Sequence, residues 1–101
     1  METKLLHEEF GRQLNQNFLV NVEGADPINL QLVEVSALTV LPRQEMFSIV
    51  LKGPGSQVMP QSIYSLENSS MGQMDLFLVA IRKDEEAVYY EAIFNRLVKQ
   101  P

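Results

Sequence analysis

Few residues in this chain could do chemistry. There is one histidine, His7, and no cysteine. His7 sits beside Glu8 and Glu9 at helical spacing, so it reads as a solvated side chain on an exposed helix face. A zinc site needs nitrogen and sulfur ligands, and carboxylates alone make an atypical one. Thiol chemistry and a disulfide framework are both excluded. No catalytic, metal or cofactor-binding residue is assigned.

Two carboxylates stand out from the rest. Asp75 is the one acid in an otherwise apolar run, and Glu91 is its rough counterpart in the next. Buried together they would make an acid–base pair with raised pKa values. Placed at a strand end or edge, each would instead deter aggregation, and that is the reading adopted. Ser48, Ser56, Ser62, Ser65, Ser69 and Ser70 lack a nucleophile elbow. Gly53-Pro54-Gly55-Ser56 is glycine-rich, but it lacks the lysine of a phosphate loop. Pro54 also removes an N–H that such a cradle would use. Asn68-Ser69-Ser70 matches a glycosylation sequon that reads as chance.

The elements that would position these residues follow from periodicity. Leu6, Phe10 and Leu14 fall on one helical stripe, which predicts a short helix over 3–14, with Thr3 as N-cap and Gly11 weakening its middle. The period then changes to two. Strands are expected over 17–23, 29–41, 45–52, 61–67, 73–82 and 87–97. Alternation slips at Val33, which predicts a bulge or bend over Val33–Ser36. Gly24-Ala25-Asp26-Pro27, Gly53-Pro54-Gly55-Ser56 and Asn68-Ser69-Ser70-Met71-Gly72 read as loops. Lys83-Asp84-Glu85-Glu86 reads as the turn of a closing hairpin. Together these predict a mainly β fold: about six antiparallel strands in a barrel or sandwich, with one short N-terminal helix. A chain of 101 residues with 46% apolar content is expected to be one domain, 1–101. Phe47, Ile49, Leu76, Leu78, Tyr90 and Phe94 are the expected core. Met46, Met59, Met71 and Met74 are expected to fill gaps in it.

The closing hairpin is unusual. Strand 73–82 carries Met74, Leu76, Leu78 and Ala80 on one face and Phe77, Val79 and Ile81 on the other. The last strand adds Ile93 to that second face. A sheet with one wet face alternates apolar with polar residues, so both faces here should be covered. The helix carrying Leu6, Phe10 and Leu14 is the first expected cover. A protein partner or a second copy of the chain is the other, with Phe77, Val79, Ile81 and Ile93 as the interaction surface.

The net charge of −5 and eight scattered cations leave no positive stripe for phosphates, so nucleic acid is not an expected partner. No apolar run is long enough to span a membrane, and the N-terminus has no signal-peptide pattern. The expected setting is cytoplasmic, without cofactors.

Four segments resemble an uncharacterised family of small bacterial β-domains of about this length: Phe47–Pro54, Ser62–Leu66, Gly72–Val79 and Tyr90–Arg96. Members of that family are often encoded near phage tail-collar-like proteins. A proline often follows the family's Leu-Phe-Leu-Val run, where this chain has Ala80, so its strand could continue unbroken. The resemblance implies no catalytic residue. It implies an accessory or assembly role for a phage-tail-like particle. The reading is therefore a non-enzymatic β-domain acting by protein–protein contact, with self-association as a homo-oligomer. A small-molecule-binding barrel is the alternative, and a small enzyme comes third. A binding barrel should show a central pocket. An interaction domain should show a filled interior with an apolar patch or an open strand edge.

Overall fold

The structure, a computed structural model, describes residues 3–97. Phe18 and Val20 are buried on β1 (Asn17–Asn21), while Asn17, Leu19 and Asn21 face out. The same two-residue period buries Leu30 and Leu32 on β2 (Ile28–Val35), and Phe47, Ile49 and Leu51 on β4 (Gln44–Pro54). Single-faced burial of this kind fixes register, because a slip of one residue would turn each apolar set outward. The set is completed by β3 (Thr39–Leu41), β5 (Ser62–Asn68), β6 (Gly72–Lys83) and β7 (Ala87–Leu97), preceded by α1 (Thr3–Arg12).

All strand pairs are antiparallel. Their order is β2-β1-β5-β6-β7-β4-β3, and β2 also pairs with β4. That extra pairing closes six strands into a barrel, which settles barrel against sandwich. β3 lies along β4 where β2 has left it, at Thr39↔Met46 to Leu41↔Gln44. The expected strand 29–41 is therefore two strands. The expected irregularity is present as a register shift between Leu32 and Glu34, followed by a break at Ser36–Leu38. A second shift falls between Ala80 and Arg82.

Gly53 and Pro54 lie in β4, not in a loop, opposite Val88 and Ala87. Packing explains the glycines. A Cβ on Gly53 would sit 2.6 Å from Leu30 Cδ2, and one on Gly55 would sit 2.8–2.9 Å from the backbone of Glu86 and Ala87. Pro54 is tolerated because it ends its strand. Asp84 makes the hairpin turn, its Oδ1 accepting from the amides of Glu86 and Ala87.

The helix differs from expectation in length and in position. It stops at Arg12, and Asn15 turns into the left-handed region at φ 71°. Asparagine tolerates that region at a helix end. Leu14 is left exposed, outside the stripe. The helix does not lie on the outside of the hairpin. It rests against β2, β4 and β7, with Phe10 driven into one end of the barrel. There Phe10 meets Phe18, Phe47 and Phe94 at ring-centre distances of 6.0, 6.2 and 5.2 Å. Of the expected core, Phe47, Ile49, Leu76, Leu78 and Tyr90 are buried. Phe94 is half-buried at this end.

His7 is not a solvated side chain. Its Nε2–H donates to the Ser36 carbonyl (2.8 Å), and its ring meets Phe47 edge-on at 5.0 Å. Ser36 in turn exchanges two bonds with Ser48. Its amide donates to the Ser48 carbonyl, and its Oγ accepts from the Ser48 amide. This latch ties α1 to the β2–β3 break and to β4.

Candidate functional site

The barrel interior is full. Phe18, Leu30, Leu32, Leu51, Leu66 and Leu78 are fully buried inside it. Tyr90 is buried there too, its phenol oxygen accepting from the Met59 amide at 2.9 Å. Met59 folds in with it, whereas Met46, Met71 and Met74 are only half-buried. No central pocket of the kind a binding barrel needs is found among the described residues.

The two carboxylates do not meet. Glu91 stands opposite Val79 and Val50, while Asp75 stands opposite Ser65, four residues along β6 from Val79. That offset is about 13 Å along a strand. Both point outward, Asp75 exposed and Glu91 half-buried. Asn68 is buried, with Nδ2 donating to the Asn17 carbonyl and Oδ1 accepting from the Ser70 and Met71 amides. It is a structural asparagine holding the β5–β6 turn.

The outer face of the hairpin is where apolar surface collects. Phe77 is 50% exposed and Val79 half-buried, consecutive outward positions on β6. Beside Phe77, across the ladder on β5, lies Ile63 at 68% exposure, an apolar side chain outside the expected interaction surface. Ile93, 62% exposed, faces outward on β7, two positions beyond Glu91. Phe77 and Ile93 would be the next outward pair after Val79↔Glu91, but the ladder stops there. Ile81 belongs elsewhere. It sits at the β6 register shift and lines a separate hollow of about 380 Å³ with Val33, Val50, Lys52, Arg82 and Tyr89. Arg82 lies 4.0 Å over the Tyr89 ring there, a cation–π contact. That hollow lies between the two register shifts, and Val50, although outward-facing, is buried in it.

A second feature was not legible in the alternation. Between α1 and β6 lies a cleft of about 310 Å³, lined by Leu6, Phe10, Met71, Met74, Leu76 and Phe94, with Glu9, Gln73 and Asp75 at its margin. It opens where β6 and β7 part. The only sequence signal for it was the pair of methionines flanking Gly72.

Residues 5–94 match the family described as a domain of unknown function, DUF6916. The chain belongs to that family. The match takes in every strand but the last residues of β7, so the DUF6916 domain is the barrel with its capping helix. No curated protein and no solved structure matches the chain. No helix among the described residues is long and apolar enough to cross a membrane. No cluster of His, Asp and Glu that could hold a metal occurs among them.

Proposed function

We propose that this DUF6916 domain is a non-enzymatic β-domain that works by protein–protein contact through the outer face of β5, β6 and β7. One observation carries the reading. The interior is packed solid, while Ile63, Phe77 and Ile93 stand uncovered on the outside. A ligand-binding barrel would have the reverse arrangement. The resemblance to domains encoded near tail-collar-like proteins adds a setting, an accessory or assembly protein of a phage-tail-like particle.

The first occupant we assign to this face is a second copy of the chain. The three side chains leave roughly 400 Å² of apolar surface per copy, within the size range of patches that are often functional. Burying it is a gross gain of about 10 kcal/mol per copy at 25 cal/mol per Å². Association entropy and side-chain ordering consume much of this. Two such faces also total less than a standard interface, so the contact is a transient one.

Sedimentation over a concentration series tests this. The wild type should gain mass toward a dimer at high micromolar concentration. Phe77→Asp/Ile93→Asp should stay monomeric with an unchanged melting temperature. A wild type that is monomeric throughout removes self-association. A pull-down from the native host with both proteins then decides whether this face holds anything else. A protein retained equally by both would sink the assignment of the face.

A further inference from the structure

The β6–β7 ladder runs from Lys83↔Val88 to Val79↔Glu91 and ends there. Beyond that point Gly72–Leu78 pairs with β5 alone, and Ala92–Leu97 with β4 alone. Two strand edges therefore face each other across one opening. α1 rests on β2, β4 and β7 and leaves β6 free, so the helix narrows the opening without closing it. A free edge presents unpaired N–H and C=O groups, a template for another strand.

The opening also has a chemical character. Met74, Leu76 and Phe94 supply an apolar floor, and Glu9 and Asp75 stand at its margin with no lysine or arginine among the lining residues. Arg12 lines an adjoining hollow with Gln13 and Ser70 that also takes in Glu9 and Met71, and it is not among the residues lining the opening. The chain's own short strand β3, Thr39-Val40-Leu41, carries no cation that would answer these acids.

We propose that the opening between β6 and β7 takes up an extended segment of another protein. The segment adds a strand to the free edges. It turns apolar side chains onto Met74, Leu76 and Phe94 and presents cationic ones to Glu9 and Asp75. In such strand addition, main-chain hydrogen bonds give affinity and alternate side chains give specificity. The inserted strand runs antiparallel to one neighbour and parallel to the other. A segment of about seven or eight residues covers the ~23 Å from Gly72 to Leu78. This deepens the interaction reading: the segment lies between Phe77 and Ile93, at the seam of the same outer face, and is held by main-chain pairing rather than by those two side chains.

The probe is a capped synthetic peptide of about eight residues alternating lysine and valine, long enough to span the opening. It should bind with micromolar affinity and slow amide exchange in residues 73–78 and 92–97. Glu9→Gln/Asp75→Asn should weaken it by about tenfold, the scale of losing charge-assisted contacts. Glu85→Gln/Glu86→Gln, in the distant hairpin turn, should leave it unchanged. The same peptide N-methylated at alternate residues should lose binding, because a strand paired on both sides needs both sets of amides. No binding, equal binding of the methylated peptide, equal loss in the turn variant, or protection confined to β3 would each overturn the proposal. Phe77→Asp/Ile93→Asp keeps both strand edges, Glu9 and Asp75, so it should take up the peptide at least as tightly while losing self-association, which separates failure here from failure of the outer apolar patch.

Discussion

Tyr90 reaches from the centre of the barrel to the Met59 amide, 2.9 Å away, and so ties the segment between β4 and β5 to the core. Both residues are buried, and no water can replace the phenol oxygen without opening the packing. Tyr90→Phe leaves that N–H without an acceptor. The expected cost is about 1–3 kcal/mol, the penalty for an unsatisfied buried donor. Urea denaturation gives the energy, and faster exchange of the Met59 amide confirms its source.

Leu78 has no exposure and lies on the inward face of β6. Leu78→Ala should cost about 2–5 kcal/mol, the range for a leucine cavity that collapses only in part. Ile63→Ser, on the outer face of the neighbouring strand, should stay within about 0.5 kcal/mol. A melting temperature unmoved by Leu78→Ala would remove it from the core.

Gly53 and Gly55 predict an order of effects. A methyl on Gly53 presses on the end of a leucine side chain, which can shift at some strain. A methyl on Gly55 presses on backbone of the hairpin turn, which cannot. Gly55→Ala should therefore be the more destabilising of the two, with Gly53→Ala near the 1–3 kcal/mol typical of overpacking. Denaturant midpoints of the two variants decide the order.

His7 holds α1 through the Ser36 carbonyl and the Phe47 ring. His7→Ala should cost about 1 kcal/mol, a typical net hydrogen bond. The loss should show as faster exchange and earlier proteolysis in α1 than in the strands.

Burial raises the Tyr64 phenol above its ordinary value, and the neighbouring Tyr90 adds to the shift. The neutral phenol donates to the Pro60 carbonyl. The folded state thus holds this proton more tightly than the unfolded chain. Its stabilisation is complete below the ordinary tyrosine value near 10 and drains as the pH climbs through the raised one. Tyr64→Phe should flatten the alkaline fall in denaturation midpoint.

Alternation revealed most of the barrel because each strand has one face inside it. Phe18 and Val20, Leu30 and Leu32, and Phe47, Ile49 and Leu51 state the inward side directly. Alternation says which face is apolar, not what covers it: it points the helix toward the hairpin, whereas Phe10 plugs the barrel end. Nothing local marks the partner of His7, because Ser36 lies 29 positions away in the sequence. The spacing of three from Phe10 does put His7 toward the packed side. The cleft at Met74 and Phe94 was invisible because the point where β6 leaves β7 is set by the coiling of the whole barrel. No local pattern encodes it.

Closure also has a consequence in time. Two seams of the barrel, β1 against β5 and β4 against β7, join residues far apart in the chain, such as Leu19 and Glu67 or Phe47 and Phe94. The β5–β6 and β6–β7 hairpins join near neighbours. Distant seams need loop closure before any contact rewards it, so folding should fall in the millisecond-to-second range of β-barrels. The hairpins can form early, and until the β1–β5 seam shuts, β5 keeps a naked edge. Synthesis places Asn17–Asn21 ahead of Ser62–Asn68, so β1 must wait for the second half of the chain before it has its full set of neighbours.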